Sequence, residues 1–544
     1  MKYIRFSILI VCIAALGVVN VLAQRTNSSP AKPRVVITAD PELDDNDTLI
    51  RAMLYTTDFD VEGLVYQAST FHWKGDGKGT TQYRPEWGAG RIKSCPDGCT
   101  SWRWPYKEHE AFIDHIVDAY AKVYPNLKVH NKNYPDPEKL RSKIKWGNVD
   151  FEGDFSNDTD GSVLIAKLLL DDQPGPLYVT AQGGQSTIAR ALKSIYEEYH
   201  TGSHWTSIRD KVSHKLVIIP FGDQDGTYGS YIKPNWPDVD EWSLAMVTYG
   251  YGIRDTLSPE NRVYISGAWT RANVLNQGPL GALYRVWQDG VVMDPTDTYG
   301  FSAEKLSEIG RPSQEKDSFI SEGDTPTYLN LLNNGLRAQN GNWGGWGGIR
   351  RTGGGPGSMV QPPPSLGPDT PGVAPGLGVA GVKNPNIPDQ TPPAPQNRPQ
   401  GPRRPPPSPR TFALNNRFFA ASQNDFAARL KWSVTPNFKD ANHEPKVTVK
   451  GPLDLTAKAG STLTLQGEVS DPDGNSVTVT WWQYNDAGTY PGDIAFSSTD
   501  ALTTSFQVPA DAKPGQTLHV ILEGTDNGAP PLTSYQRVVV TVVP

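Results

Sequence analysis

The sequence predicts an α/β protein in which an open, mostly parallel sheet with helices on both faces is followed by an all-β sandwich. Strand-like and helix-like patterns alternate through residues 34–350, which is typical of parallel sheets with crossover helices. Six short strand patterns separated by turn residues follow residue 444, a spacing typical of β-sandwiches. A segment rich in proline and glycine lies between these two regions.

The first strand is predicted at Arg34–Thr38, where β-branched residues form a continuous apolar run. An acidic stretch follows, and then four apolar residues recur at helical spacing between Leu49 and Leu54. Val61–Tyr66 is the next strand, so these residues form a βαβ unit. The pattern then recurs, with helices at 163–170 and 188–199 and strands at 177–181, 216–221 and 263–266.

The C-terminal region is predicted to hold an immunoglobulin-like sandwich over residues 444–544. Its strands are expected at 446–450, 462–468, 476–484, 503–508, 517–523 and 537–543. A helix at 423–432 precedes it and is too short to stand alone, so we assign it to the first domain, residues 24–440.

The segment 351–410 contains 18 prolines and 10 glycines and no aromatic residue. Such a composition cannot bury a core, so the segment is predicted to be an extended or disordered insertion within the first domain. A spacer is the simpler interpretation, and a docking site for a partner is the alternative.

The N-terminus resembles a secretory signal peptide over residues 1–23. Lys2 and Arg5 precede an apolar run at 6–19, and the small residue Ala23 ends the segment. A membrane anchor is the alternative, although the run is short for a span. We therefore expect a secreted or periplasmic protein with no membrane attachment after cleavage.

Two cysteines, Cys95 and Cys99, remain after the signal peptide. In an oxidising compartment they could close a short disulfide loop. Free thiols are a second possibility. A metal site is a third, with His109 and His115 as the only local partners.

A cluster of acidic residues follows the first strand, where five acids fall within eight residues at positions 40, 42, 44, 45 and 47. Ligands of open parallel sheets bind outside the carboxyl ends of the strands, where this stretch lies. Packed carboxylates repel one another, and a hard cation with oxygen ligands, Ca²⁺ for preference, would neutralise them. Capping of the next helix is the alternative interpretation for some of these acids.

The Asp-x-x-x-Asp-Asp pattern resembles the Asp-Thr-Asp-Pro-Gly-x-Asp-Asp signature of the inosine-uridine nucleoside hydrolases. Asp40, Asp44 and Asp45 match it, whereas Thr38 replaces the first aspartate and Glu42 the glycine. The resemblance implies Ca²⁺ ligation by Asp40 and Asp45 and binding of ribose hydroxyls by Asp44. It also implies that Asp40 is the general base acting on a Ca²⁺-bound water.

Two later regions are similar to the same family. The strand and turn at 177–187 imply the backbone carbonyl of Gln182 as a further metal ligand. In Glu322–Pro326, Asp324 matches the metal-binding aspartate of the family. Gly323 stands where the family has its leaving-group histidine, and His72, after the second strand, is the candidate substitute. An ordinary polar role for His72 is the alternative.

The closer resemblance is to the cellulose-binding-protein-type, nucleoside-hydrolase-like secreted proteins. It rests on the acidic stretch, on the C-terminal sandwich and on four further motifs, at 222–225, 322–326, 343–348 and 423–429. Asp223 and Asp225 are predicted to accept hydrogen bonds from sugar hydroxyls, with a solvated acidic turn as the alternative. Trp343 and Trp346 are predicted to wall the site, with packing of loops onto the core as the alternative.

These observations support two hypotheses of function. The first is a secreted hydrolase of N-glycosyl or related glycosyl bonds that uses Ca²⁺ and an aspartate base. The second is a non-catalytic protein that binds cellulose or another polysaccharide on the same scaffold. The expected partners are ribosyl or other sugars, and the net charge of −7 argues against nucleic acid polymers.

Overall fold

A computed structural model describes residues 32–82, 95–245, 249–350 and 416–544. The predicted signal peptide and the proline-rich segment lie outside these residues. No helix within the described ranges is both long and apolar enough to cross a membrane. Cys95 and Cys99 form a disulfide, as the first of the three possibilities proposed.

A six-stranded parallel sheet organises the first domain and confirms the predicted fold class. The strand order is β3-β2-β1-β4-β5-β6. The strands are β1 Arg34–Ala39, β2 Asp60–Tyr66, β3 Ile144–Trp146, β4 Leu177–Ala181, β5 Leu216–Pro220 and β6 Asp240–Glu241. Strand β1 is buried from Val35 to Ala39 because both of its faces are covered, as is usual in parallel sheets.

Six longer helices accompany this sheet. They are α1 Leu43–Leu54, α2 Phe112–His130, α3 Asp160–Leu170, α4 Ser186–Tyr199, α5 Trp205–Lys215 and α6 Phe419–Val434. Apolar residues of α1, α2 and α6 share one core with Val35 and Ile37. Those of α3 and α4 share a second core with Val36, on the opposite face. The helix expected at 423–432 is therefore α6, whose apolar residues share a core with α1 and α2.

Shorter helical turns fill the irregular regions. The α-helical turns are Lys107–Glu110, Pro137–Arg141, Lys233–Asn235, Gly267–Thr270, Gly278–Gly281, Ala303–Glu308 and Pro326–Leu329. The 3₁₀ turns are Ile253–Asp255, Asn261–Ile265 and Phe438–Asp440, and the π turns are Tyr228–Ile232 and Arg271–Leu275.

The strand predicted at 263–266 is wrong, because residues 263–265 belong to the 3₁₀ turn Asn261–Ile265 and Ser266 caps the next helical turn. Val263 is exposed while Ile265 is buried, so the apolar run does not lie in a sheet. A contact distant in sequence stabilises the turn, because the Asn261 side chain donates hydrogen bonds to Asn416.

The C-terminal domain is an all-β sandwich, as predicted. One sheet has the order β10-β15-β14-β12 and the other β13-β11-β9. The strands are β9 Lys446–Val449, β10 Asp454–Lys458, β11 Thr462–Ser470, β12 Val477–Gln483, β13 Thr503–Gln507, β14 Thr517–Asp526 and β15 Thr533–Val543. Sequence reasoning missed β10, an edge strand that buries only Ala457 and therefore shows little apolar alternation.

A short antiparallel pair, β7 Leu244–Ala245 and β8 Ile349–Arg350, completes the described strands. The functional consequence of the fold lies in the main sheet, where the chain order reverses at β1. Strands β2 and β3 extend to one side of β1, and β4, β5 and β6 extend to the other. The crevice outside the carboxyl ends of β1 and β4 is therefore the expected ligand site.

Candidate metal and sugar site

The acidic cluster lies at this reversal point, directly after β1. Asp40 follows the last residue of β1, and Asp44 and Asp45 occupy the first turn of α1. The acids at 44, 45 and 47 are thus helical and not in a loop. All three carboxylates are at least nine-tenths buried, and the helix N-terminus favours negative charge at positions 44 and 45.

Asp40 is held from three directions. Its backbone N–H donates to Asp45 Oδ1 at 3.1 Å, and the Ser69 hydroxyl donates to Asp40 Oδ2. The His72 Nδ1 atom lies 3.2 Å from the same oxygen. The other carboxylate oxygen, Oδ1, is buried and has no hydrogen-bond partner among the described residues. A buried unsatisfied carboxylate oxygen is costly, so this atom is a strong candidate ligand for a cation.

Asp324 brings a second orphaned oxygen to the cluster. It lies in the turn that precedes the helical turn Pro326–Leu329, and its Oδ1 atom is buried without a partner among the described residues. The negative charge of Asp324 raises the pKa of Asp45, after the larger effects of burial and of Asp40. Asp324 therefore lies near enough to Asp45 to interact with it electrostatically, and its role as a metal ligand stays a prediction.

Burial is the main reason why the carboxyl groups of Asp44, Asp45 and Asp324 have pKa values well above the ordinary aspartate range. Neighbouring acids raise these pKa values further. A divalent cation would offset both effects because it neutralises the carboxylates where they lie. Carboxylate oxygens fit a hard cation, so this acidic cluster could hold a metal ion.

Glu42 is a further acid in this cluster that sequence reasoning did not assign to the site. One carboxylate oxygen of Glu42, one of Asp40 and a ring nitrogen of His72 lie within 4.8 Å of one another. Carboxylate oxygens of Glu42, Asp44 and Asp45 form a second group within the same distance. Burial raises the pKa of Glu42, and the nearby His72 opposes that rise.

The pH dependence of stability provides a test of this electrostatic description. The raised pKa values mean that the folded, cation-free protein holds protons that the unfolded chain releases just above pH 3.8. The unfolding free energy should therefore fall as pH rises above the ordinary aspartate pKa of 3.8. Thermal unfolding in a chelator should show this fall, and saturating Ca²⁺ should reduce it. Equal pH profiles with and without Ca²⁺ would contradict the description.

Gln182 follows β4 beside Asp40, but its backbone carbonyl is already engaged. The Gln224 side-chain amide donates to this carbonyl at 2.6 Å. One lone pair of the oxygen remains, so metal ligation by Gln182 stays a prediction. Both polar atoms of the Gln182 side chain are buried without partners among the described residues. The adjoining Gly183 has no room for a side chain, since a Cβ atom would lie 3.0 Å from that of Asp40.

His72 is brought into the cluster, as the sequence suggested. It is 1% exposed, and its Nδ1 atom lies 3.2 Å from Asp40 Oδ2 and 3.8 Å from Glu42 Oε2. Its other nitrogen, Nε2, lies 4.0 Å from Asp294 Oδ2. The imidazole thus lies among three carboxylates, and a catalytic role for it stays a prediction.

Asp44 faces a different part of the same crevice. Its Oδ2 atom accepts hydrogen bonds from the Ser321 hydroxyl at 2.9 Å and from the Gly323 backbone N–H at 3.3 Å. A Cβ atom on Gly323 would lie only 2.6 Å from that oxygen. The close approach of Asp44 therefore explains why residue 323 is glycine and not the histidine of the nucleoside hydrolases.

Asp223 and Asp225 have structural partners that the sequence did not reveal. Asp225 Oδ2 accepts the backbone N–H groups of Gln185 and Ser186 and so caps α4, while Oδ1 accepts that of Thr227. Asp223 accepts from the backbone of residues 228 and 229. Burial raises the pKa of Asp223 to about 7. Both residues are buried, so neither lies in a solvated turn. Hydrogen bonds from sugar hydroxyls to these carboxylates would compete with the backbone hydrogen bonds.

The prediction that Trp346 walls the site is wrong. Its ring is 2% exposed and packs against Tyr535 of the C-terminal domain, so it offers no face to a ligand. Trp343 lies at the same junction, edge-on to His519 with the Arg337 guanidinium over its ring. Both tryptophans join the two domains because large apolar rings gain most from burial.

Several residues near the cluster were missed from the sequence. Ser69 could have been found, because it lies three residues beyond β2 at the same sheet edge as Asp40. Tyr251, Asp294 and Ser321 come from irregular segments without periodicity and gave no signal. Tyr251 donates a hydrogen bond from its hydroxyl to Glu42 Oε1 at 3.0 Å.

Comparison with known proteins identifies a family for the chain. A family model described as "Cellulose-binding Sde182, nucleoside hydrolase-like domain" matches residues 34–349. A second, described as "Cellulose-binding protein Sde0182, C-terminal domain", matches residues 462–542. No curated protein matches the chain.

Two solved structures are similar to the chain to different degrees. A nucleoside hydrolase-related hypothetical protein from Saccharophagus degradans, associated with carbohydrate metabolism, covers 94% of this chain and 100% of its own at 24% identity and a TM-score of 0.61. This likeness shows the fold. Cadherin domains 3–6 of protocadherin gamma B2 cover 18% of this chain and 24% of their own at 16% identity. Their TM-score of 0.13 supports no argument.

Proposed function

The chain belongs to the family of cellulose-binding Sde182 proteins with a nucleoside hydrolase-like domain, and from that premise we propose that it is a metal-dependent hydrolase of N-glycosyl or related glycosyl bonds. The observation that carries this proposal is the pair of orphaned buried oxygens on Asp40 and Asp324. They belong to a carboxylate cluster at the strand ends, where sheets of this type bind ligands. We further propose Ca²⁺ as the ion, because all the donors are hard oxygens.

In this proposal Asp40, Asp45 and Asp324 hold the cation, and Asp40 accepts a proton from the attacking water. A bound divalent cation would lower the pKa of water and neutralise the carboxylates around it. The hydrogen bond from Ser69 and the contact with His72 fix the orientation of Asp40. Asp44, held by Ser321 and Gly323, is placed to accept hydrogen bonds from sugar hydroxyls.

The place of His72 favours a role beside the base. An acid and a base that act on opposite faces of a glycosidic bond lie about 6.5–9.5 Å apart in inverting enzymes. His72 Nδ1 lies 3.2 Å from Asp40, so it is on the same side as the base. We therefore propose that His72 orients Asp40, and that the leaving group departs without protonation by this histidine.

Substitution of Asp40 tests the proposed function. The Asp40→Ala variant should lose turnover by about 10²-fold or more, because a positioned general base contributes about that much. Wild type and variant would be assayed with Ca²⁺ against a panel of nucleosides and oligosaccharides. Asp60→Asn is the matched control, since Asp60 is exposed at the opposite end of the sheet. Equal turnover in Asp40→Ala and wild type would refute the role of Asp40.

A second candidate function is non-catalytic binding of cellulose or another polysaccharide. It is favoured by Gly323, which leaves the site without an acid at the position where the nucleoside hydrolases have their histidine. Retention of the wild-type protein on cellulose, with no turnover of any member of the panel, would support binding over hydrolysis.

A further inference from the structure

Tyr251 is an aromatic residue at the mouth of the acidic cluster to which no role has yet been given. Its side chain is 45% exposed, although its hydroxyl donates to Glu42 Oε1 at 3.0 Å and lies 3.5 Å from Asp44 Oδ1. An exposed aromatic ring anchored at its polar end is held in a defined orientation. This ring therefore borders the place where Asp44 is proposed to receive a sugar.

The ring of Tyr251 is also supported from behind. Tyr299 stacks on it with ring centroids 5.6 Å apart and an interplanar angle of 24°. Trp287 contacts Tyr299 edge-on at 5.0 Å, and both pack against the small core that contains Leu43 and Ile320. Because one face is covered by Tyr299, the exposed area of Tyr251 is a preformed surface and not a freely rotating side chain.

We propose that Tyr251 is a substrate-contacting residue on which a neutral sugar ring stacks. The hydroxyl groups of that sugar would donate hydrogen bonds to Glu42 and Asp44. This inference rests on the proposed function, since it uses the same crevice. The apolar C–H face of a sugar matches an aromatic face. Sugar hydroxyl groups are also hydrogen-bond donors, and the carboxylates of Glu42 and Asp44 accept hydrogen bonds.

The charge around Tyr251 favours a neutral ligand. Glu42 and Asp44 are in contact with the tyrosine hydroxyl, and both lie outside the proposed ligand set of the cation. Their negative charges would repel a phosphorylated sugar or a uronic acid that stacks on Tyr251. A nucleobase could also stack on a tyrosine, but it offers fewer donors to the two carboxylates. A neutral glucan is therefore the ligand class that fits best.

Two substitutions separate the ring from its hydroxyl. Binding of cellotetraose, and separately of inosine, would be measured by calorimetry in Ca²⁺ for wild type, Tyr251→Ala and Tyr251→Phe. Tyr251→Ala should weaken cellotetraose binding by roughly tenfold, because the stacking surface is lost. Tyr251→Phe should remain within about threefold of wild type, since the ring is retained. Tyr196→Ala is the control, because Tyr196 of α4 is equally exposed and also stacked, on His200 just after the helix.

The outcomes distinguish this inference from the proposed function. Ca²⁺ affinity and the thermal unfolding midpoint are measured for every variant, so misfolding or loss of the cation would be seen directly. Unchanged cellotetraose binding in Tyr251→Ala, or no binding by wild type, would overturn the inference. If Tyr251→Ala weakened only the binding of inosine, the ring would stack on a nucleobase and not on a sugar, and the inference would also be overturned. Absence of turnover with an intact Tyr251 effect would instead count only against the hydrolase.

Discussion

Replacing Asp45 with alanine is expected to weaken divalent-cation binding by about 10³-fold, because charged oxygen ligands set Ca²⁺ affinity over several decades. Asp45 is 1% exposed, and its Oδ1 atom also accepts the Asp40 backbone N–H. Its pKa is raised by burial and by Asp40, so the cation-free protein gains little from this charge. The variant should therefore fold, yet show no Ca²⁺-dependent rise in its thermal unfolding midpoint.

The matched control for this substitution is Asp160→Ala. Asp160 also lies in the first turn of a helix that accompanies the main sheet, α3, but it is exposed to solvent. Calorimetric titration with Ca²⁺ should give the wild-type affinity for this control and no measurable heat for Asp45→Ala. Wild-type affinity in Asp45→Ala would remove Asp45 from the ligand set.

The second large effect is expected from Arg51→Met, which should destabilise the protein by about 3–5 kcal/mol. Arg51 and Glu322 form an ion pair whose side chains are both 0% exposed, with Nε 2.5 Å from Oε2. Arg51 also donates to Gln423 of α6. Its removal would leave the Glu322 carboxylate buried without its cation, which is the costly half of a broken buried pair.

This ion pair also links the elements that carry the proposed ligands. Arg51 lies on α1, downstream of Asp45, and Glu322 opens the turn that carries Asp324. Arg51→Met should therefore weaken Ca²⁺ binding as well as stability. Urea unfolding measures the stability, and the double variant Arg51→Met with Glu322→Leu should recover part of it, because no uncompensated charge remains.

An exposed ion pair provides the control for Arg51. Arg141 contacts Asp118 at 2.6 Å, but both side chains are at least a third exposed. Arg141→Met should change the unfolding free energy by about 1 kcal/mol or less, since solvent screens such pairs. If Arg51→Met were no more destabilising than Arg141→Met, the Arg51–Glu322 pair would not be a major stabilising contact.

The central part of the site could be predicted because it lies at strand ends. In a parallel sheet the carboxyl ends of all strands meet at one edge, so Asp40 after β1 and the segment after β2 that carries His72 lie at the same edge. Periodicity located these strands, and the resemblance then placed Asp324 near them. The alternation of buried strands and amphipathic helices was sufficient for the fold class.

The rest of the site depends on contacts that no local pattern encodes. Tyr251 reaches Glu42 from an irregular segment, and Asp294 approaches His72 from another. Val263 and its neighbours show that a short apolar run does not distinguish a strand from a 3₁₀ turn. Trp346 lies between glycines and resembled a site wall, but those glycines permit close packing. A Cβ atom on Gly347 would lie 2.4 Å from the Pro326 carbonyl oxygen.

The most direct test of the proposed metal site is the diffraction of crystals grown with Ca²⁺. We expect an ion bound by the carboxylates of Asp40, Asp45 and Asp324, at about 2.3–2.6 Å from their oxygens. Asp40 Oδ1 and Asp324 Oδ1, which are otherwise orphaned, should be among its ligands. Well-defined carboxylates with no ion between them at saturating Ca²⁺ would contradict the account.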